Sequence, residues 1–342
     1  MTDNRIEVVY HQRRPLPNIS FSLETYFDTV RQHLSDNAFH VRVHQSPHAS
    51  RGIRGRVRNM RASRARRGQI NHITGDGLYL GIGLPGRRTV LTVPDLAYVM
   101  NPSVLRRAMI ELLWYRLPVR RAAIVTVISE FTRSRLLDLL PEARDKVRVI
   151  YACPSTRFAP DARPFRAERP VLLQVGTSPN KNVERVAHAL EGMDCQLHVL
   201  GALNAEHAAA LRRARIDYRN SVNLSTDELV RSYREADAVV FCSTYEGFGL
   251  PIVEAQLVGR PVITSTVASM PEIAGNAACL VNPFDVRSIR AGIQRVIADN
   301  AYRTQLVADG FRNAGRFAPK RIADEFADVY RSLASSLPPG VN

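Results

Sequence analysis

Two rhythms of apolar and polar positions alternate along this chain, and their alternation predicts the fold class. Short apolar runs at residues 6–10, 122–128, 170–175 and 238–242 are rich in Val, Ile and Ala, as expected of strands buried on both faces. Residues 22–34, 104–116, 130–140 and 319–334 carry apolar residues at helical spacing instead, with Ser20 or Ser22 as candidate N-cap of the first helix. Further strands are expected at 39–43, 69–74, 88–93 and 147–151, then at 196–200, 261–264 and 278–281, with a helix from about Asn182. Such βα alternation implies parallel sheets with helices on both faces. Residues 152–169, with three prolines and mixed charge, read as a linker. The expected architecture is α/β. Two doubly wound, Rossmann-like domains (1–160 and 161–317) enclose a cleft, and a last helix at about 318–334 returns to pack on the first. Ligands of such folds bind beyond the carboxyl ends of the strands.

The most informative strand end follows the run 238–242, where the sequence EGFGLPIVE places Glu246 and Glu254 eight positions apart. A helix starting near Leu250 or Pro251 would direct unpaired N–H groups and the positive end of its dipole outward. That is a phosphate-binding arrangement. Glu254 falls about one turn into the helix, where a carboxylate accepts hydrogen bonds from sugar or ribose hydroxyls. Glu246 lies on the loop before the glycines. Phosphate and polyol recognition together suggest a sugar nucleotide.

Composition narrows the class. Hydrophobic residues at 45% and charged residues at 23% suit a globular chain with real cores. No apolar run approaches the roughly 18 residues of a membrane span, and the N-terminus has no long apolar segment of a secretory signal. Cys153, Cys195, Cys242 and Cys279 are far apart in sequence and lack metal-ligand spacing, so a reduced, cytoplasmic setting is expected. The net charge of +15 is uneven: eight arginines and no acid lie between Arg51 and Arg67. Such a field favours anionic partners. Ile53, Val57 and Met60 recur there at helical spacing beside Arg54, Arg58 and Arg61. Two readings stay open: a basic amphipathic helix lying peripherally on the inner, anionic face of a membrane, or a solvated helix with its apolar edge on the first domain. No nucleic-acid module accompanies the charge, so no nucleic acid is expected as partner.

The motif at Glu246–Glu254 resembles the E-x7-E element of the retaining family-4 glycosyltransferases of the GT-B fold (the group 1 type). The likeness extends to VGTSPNKN at 175–182, ADAVVFCS at 236–243, MPEIAG at 270–275, LVNP at 280–283 and AIVTVISEFT at 123–132. It covers about the last two-thirds of the chain and is weaker before residue 70. The resemblance implies a hexosyltransferase (class EC 2.4) using a nucleotide-diphosphate-sugar as co-substrate, without other cofactor. The acceptor would be a glycan or lipid-linked molecule, in cell-envelope or exopolysaccharide synthesis. It implies that Glu254 binds the ribose hydroxyls, that Glu246 contacts the transferred sugar, and that Gly247, Phe248, Gly249 and Leu250 hold sugar hydroxyls and diphosphate through their amides. Gly176 and Thr177 belong to the donor loop, and Lys181 would neutralise the departing diphosphate. Fixed donors and a cation at that position stabilise the charge that develops in the transition state. No D-x-D pair occurs in the sequence, so metal-independent chemistry is expected.

Two departures from the family pattern matter. The turn before Lys181 holds Thr177, Ser178, Pro179 and Asn180 where many relatives place an arginine. The segment TVPDL at 92–96 has Pro94 where a histidine is usual, leaving Asp95 as the catalytic candidate of the first domain. His72 and Asp76 are candidates for the neighbourhood of the cleft, and Glu272 for the donor side. His40, His44 and His48 are expected to be solvated strand histidines rather than metal ligands, because His40 and His44 share the polar face of a half-buried strand. Pro94 sustains one competing reading, a donor-binding but catalytically degenerate GT-B protein; a sugar-nucleotide epimerase on the same fold is a second.

Overall fold

The computed structural model describes residues 5–14, 22–50, 52–96 and 104–337; Ser20 and Arg51 lie outside them. The chain forms two compact units, Met1–Cys153 with Pro319–Asn342, and Pro154–Ala318.

In the first unit the order is β1 (Ile6–Gln12), α1 (Ser22–His33), β2 (Phe39–Gln45), α2 (Gly52–Ala65), β3 (Ile70–Ile73), β4 (Thr89–Val93), α3 (Val104–Ile110), α4 (Leu117–Arg121), β5 (Ile124–Val127), α5 (Glu130–Leu139) and β6 (Val147–Val149). The six strands are parallel, in the order β2-β1-β3-β4-β5-β6. Ile73, Leu80, Leu91, Val93, Val119, Val125, Val127 and Leu136 form part of its core and are almost wholly buried. Each such side chain contributes about 1.5–3 kcal/mol through removal from water. The expected helix at 104–116 continues to Arg121 through a π-type stretch, Glu111–Arg116. That stretch ends beside Pro118, which has no N–H to extend an α-helical ladder. Ser129, just past β5, caps α5 by accepting from Thr132 N–H at 3.0 Å.

The second unit continues with β7 (Val171–Val175), α6 (Val183–Leu190), β8 (Gln196–Leu200), α7 (Ala205–Arg213), β9 (Asp217–Ser221), α8 (Thr226–Glu235), β10 (Ala238–Phe241), α9 (Leu250–Val258), β11 (Val262–Ser265), α10 (Met270–Ala274), β12 (Cys279–Val281), α11 (Val286–Ala298) and α12 (Asn300–Ala314). Its strands, also parallel, run β12-β11-β10-β7-β8-β9. The order reverses between β7 and β10, where a doubly wound sheet opens a crevice at its carboxyl edge. β9 was not expected from the sequence. It is a polar edge strand, DYRNS, without an apolar face to announce it.

α13 (Pro319–Ser335) packs within the first unit. Ile322, Ala323, Phe326, Ala327, Tyr330 and Leu333 form its buried stripe. Phe326 meets Phe27 of α1 at 5.7 Å between ring centroids, and Tyr330 meets Phe39 of β2 at 5.9 Å. Among the described residues, no helix is long and apolar enough to cross a membrane.

Candidate functional site

The crevice between β7 and β10 collects the second unit's candidate residues. β7 ends at Val175, and Gly176 follows with φ +87°; a Cβ there would stand 3.0 Å from Lys181 Cε. Glycine therefore allows the lysine side chain to lie across the turn. Thr177 donates from Oγ1 to Ala202 O at 2.8 Å, holding the loop to the end of β8. A 3-10 turn, Pro179–Lys181, delivers Lys181, and Asn182 closes it in the left-handed region at φ 63°. The buried Asn182 amide donates to Cys242 O at 3.0 Å and Pro283 O at 2.7 Å, fixing the turn to the loops after β10 and β12.

The loop after β10 meets this turn. Lys181 Nζ lies 2.6 Å from Glu246 Oε1 and 4.5 Å from the Phe241 ring centroid. Asn180 Nδ2 donates to the same Glu246 oxygen at 3.0 Å and to Tyr245 O at 2.8 Å, while Thr244 N–H donates back to Asn180 O at 2.8 Å. Ser269 Oγ lies within 3.0 Å of Glu246 O and 2.8 Å of Phe248 O, bracing the loop from the side of α10. The lysine and glutamate side chains keep 17% and 14% exposure. They form a charged pair open to solvent on loops braced at several points.

Gly249, at φ +103°, turns the chain into α9. A Cβ at this position would press on Ile252 and Phe241, at 3.2 and 3.4 Å. Pro251 occupies the first turn of α9, and no side chain caps the helix start. Pro251 has no N–H and the Ile252 N–H donates to Gly249 O at 3.0 Å, so the helix offers an anion the other N–H groups of this turn and its positive dipole end. Gly247, Phe248 and Gly249 are buried in the turn and Leu250 is half-buried. The Phe248 ring sits edge-on to Phe317 at 5.4 Å, so this residue offers the site backbone rather than ring.

Glu254 is half-buried on α9 and accepts from Tyr233 of α8 at 2.5 Å on Oε2. Burial pushes its carboxyl up to about 7, against the opposing pulls of the Tyr233 hydrogen bond and the Lys181 charge. Burial and the adjacent carboxylate raise the Tyr233 phenol far above its ordinary range, so it remains a donor. Glu272 lies half-buried in the first turn of α10, where its backbone carbonyl accepts from Arg316 at 3.2 Å.

The first unit's candidates divide. Asp95 is half-buried just past β4, and its carbonyl accepts from Tyr115 at 3.2 Å. The neighbouring Pro94 is buried, its carbonyl facing Thr132 Oγ1 at 3.4 Å. His72, expected near a ligand, belongs instead to the core: it is fully buried, with Nδ1 2.7 Å from Tyr330 Oη and Nε2 2.7 Å from Thr92 Oγ1. Burial drives its imidazole down to about 3, so it stays neutral. Tyr330 from α13, far along the chain, supplies a partner that no local pattern announces. Asp76 is paired with Arg13, which also donates to Glu24 at 2.9 Å.

The histidines of β2 depart from simple alternation as well. His40 is exposed, but His44 is half-buried with its ring 5.5 Å from that of His11, whereas Val43 is 41% exposed. β2 is an edge strand, so its far end lacks the covering that would impose one buried face. Burial, with the Arg66 charge, lowers the His44 imidazole from its ordinary value. Among the described residues, no three His, Cys, Asp or Glu side chains group as metal ligands. All four cysteines are buried free thiols.

On α2, the arginine helix, Asn59 and Ser63 are buried, with Asn59 bonded to both the amide and carbonyl of His48 and to Tyr79 Oη. Met60 packs against the unit's core, whereas Ile53 is 79% exposed. The inward face is thus partly polar, and the stripe through Ile53, Val57 and Met60 is not its seam. Asn180, Tyr233 and Ser269 were missed by sequence reasoning. Asn180 had a signal in its place beside Lys181; the other two lie on separate elements, where only folding brings them to the loop.

Residues 169–299 match the family model described as glycosyl transferases group 1. This span lies wholly in the second unit and includes all of that unit's candidate site residues. The chain is 28% identical to O-antigen chain mannosyltransferase B of Escherichia coli over 62% of its own length and 61% of that relative's. It therefore spans about three-fifths of that relative. Among solved structures, sucrose-phosphate synthase from Thermosynechococcus elongatus matches with a TM-score of 0.80 at 17% identity, covering 97% of this chain and all of that one. The Anabaena protein HepE, solved with UDP and glucose, matches with a TM-score of 0.74 at 16% identity over 96% of this chain and all of that one. These two likenesses establish the fold. The match over residues 169–299, the mannosyltransferase likeness and the two parallel sheets together support a group 1 glycosyltransferase of the family-4 type on the GT-B fold.

Proposed function

We propose that this protein is a retaining glycosyltransferase that moves a hexosyl group from a nucleotide-diphosphate-sugar to a glycan or lipid-linked acceptor of the cell envelope. The observation that carries the reading is the meeting of Asn180, Lys181 and Glu246 beside the uncapped start of α9, at the β7–β10 crevice. A cation, backbone amides and a carboxylate there suit a diphosphate joined to a sugar. The mannosyltransferase name of the E. coli relative and the UDP bound to HepE support the substrate class.

In this reading the second unit binds the donor. Glu254 accepts from ribose hydroxyls, the amides of Gly247, Phe248, Gly249 and Leu250 hold diphosphate and sugar, and Gly176 and Thr177 shape the donor loop. Lys181 leaves Glu246 for the diphosphate as charge develops on it, and Glu246 then turns to the sugar. The bond from C1 to the diphosphate oxygen breaks, the acceptor oxygen bonds to C1 on the same face, and the acceptor proton leaves with the diphosphate. No residue of this chain is assigned as a metal ligand in that step. Asp95 serves on the acceptor side, in the first unit. The experiment is incubation with a panel of nucleotide sugars and an envelope glycan acceptor, with the product linkage read by NMR. Transfer with the donor's anomeric configuration supports the proposal, inversion removes retention, and donor turnover to an epimer without acceptor favours the epimerase reading.

A peripheral membrane role belongs to the same proposal. α2 exposes Arg54, Arg58, Arg61 and Arg64 together with Ile53, a face suited to anionic lipid. Sedimentation with anionic vesicles at low and high salt tests it; absence of binding at both salts removes the membrane from the account.

A further inference from the structure

We propose that Tyr233 is a positioning residue for Glu254, holding one carboxylate oxygen so that the other is presented to a ribose hydroxyl of the donor. The inference rests on the ribose role proposed for Glu254 and adds the device that makes it work.

The arrangement is asymmetric. Glu254 Oε2 takes the Tyr233 hydroxyl at 2.5 Å, while Oε1 has no hydrogen-bond partner among the described residues. The nearby cation is engaged elsewhere, with Lys181 Nζ on Glu246 at 2.6 Å. A half-buried carboxylate used only for folding would be expected to pair with a cation or spread its charge over several donors. This one has a single neutral donor and an unspent oxygen, so its capacity to accept is kept for something else.

Tyr233 is built to stay in place. α8 is fixed at its start by a capping box between Ser225 and Glu228. The Tyr233 ring is fully buried, with Phe158 of the connecting segment edge-on at 5.2 Å and 87°. A buried phenol needs a partner for its hydroxyl, and the partner here is a carboxylate on the neighbouring helix. Because burial keeps the phenol protonated far above neutral pH, it always donates, and the hydrogen bond favours the ionised, accepting form of Glu254. Among the described residues, Tyr233 on α8 and Lys181 after β7 are the titratable groups whose hydrogen bond or field reaches that carboxyl.

The test uses the full chain and calorimetry. UDP, GDP and ADP are compared first, and the tightest of them is then compared with its 2′-deoxy and 3′-deoxy forms, on wild type, Tyr233→Phe, Glu254→Gln and the variant carrying both substitutions. The wild type should prefer the ribonucleotide over one deoxy form by about tenfold or more, the worth of a charge-assisted hydrogen bond. Tyr233→Phe should bind that deoxy form about as the wild type does, yet shrink the preference to about threefold or less. Its remaining preference should fade at higher pH than in the wild type, because Glu254 protonates more readily without the phenol. The double variant should lose no more preference than Glu254→Gln alone. Full retention of the preference in Tyr233→Phe, equal weakening of both nucleotides, or additive losses in the double variant would each overturn the positioning role. A wild type without any ribose preference would instead defeat the ribose reading of Glu254 itself.

Discussion

Two polar clusters, one in each unit, show how alike sequence signals separate on folding. In the first unit His72 joins Thr92 and Tyr330 at 2.7 Å each, and Thr92 meets Thr126 at 2.6 Å. In the second unit Asn180 and Lys181 converge on Glu246 at 3.0 and 2.6 Å. Both clusters lie on or just past parallel strands. Both ring nitrogens of His72 are satisfied, the side chain has no exposure, and the imidazole is neutral. The second cluster sits on loops and remains partly exposed. A polar residue near a strand end is therefore a candidate ligand only if folding leaves it with something to offer, and Tyr330 of α13 takes that from His72.

The contrast is broken most forcefully by swapping which property each cluster controls. Lys181→Ala or Glu246→Ala should lower the transfer rate by about 10²–10³-fold while leaving the melting of the protein nearly unchanged, since each removes a partly exposed group proposed to act on the transition state. Steady-state rates beside a thermal melt check this; a large fall in stability with normal rates would reverse the assignment.

His72→Ala should do the opposite. It leaves the Thr92 and Tyr330 hydroxyls without their partner and opens a hole, for a cost of about 2–4 kcal/mol. Trp114, the single tryptophan of the chain, lies in the first unit beneath the Arg56 guanidinium at 4.3 Å. Its fluorescence therefore reports the unfolding of that unit during denaturant titration. A midpoint unmoved from wild type would remove the structural role of His72.

Acid should also separate the clusters. Folding lowers the imidazoles of His72 to about 3 and His11 to about 4, from an ordinary value of 6.5. The unfolded chain then binds more protons below that value. The first unit's stability is full above about pH 6.5 and declines as pH falls, by up to ~1.4 kcal/mol per pH unit for each histidine. Glu254 has the reverse sign: its folded value of about 7 exceeds its ordinary 4.5, so its ionisation costs stability as pH rises through that interval. Glu254→Gln should stabilise the second unit by on the order of 1–2 kcal/mol at pH 8 and by little at pH 4, with allowance for partial exposure. Differential scanning calorimetry at the two pH values checks this smaller effect.

Much of this organisation was legible in the sequence because it depends on local pattern. The buried parallel strands are continuous apolar runs, and the turns at Gly176 and Gly249 need the left-handed backbone that glycine favours. β9 was illegible because an edge strand of DYRNS has no apolar face. His44 was misjudged because an edge strand need not keep one face covered, and the arginine helix was read only in part, because Asn59 docks it alongside Met60. Tyr233 could not be tied to Glu254, since residues of two helices gain a shared partner only when both have packed. His72 was misplaced for the same reason: its partner is 258 positions away.

In the proposed function the second unit holds a nucleotide-diphosphate-sugar through Glu254 and the start of α9. The most direct test of this is calorimetric titration of nucleotide sugars into wild type and Glu254→Ala. A nucleotide sugar should bind the wild type, and the substitution should weaken it by about tenfold or more. Absence of binding to every nucleotide sugar, or binding undiminished in Glu254→Ala, would contradict it.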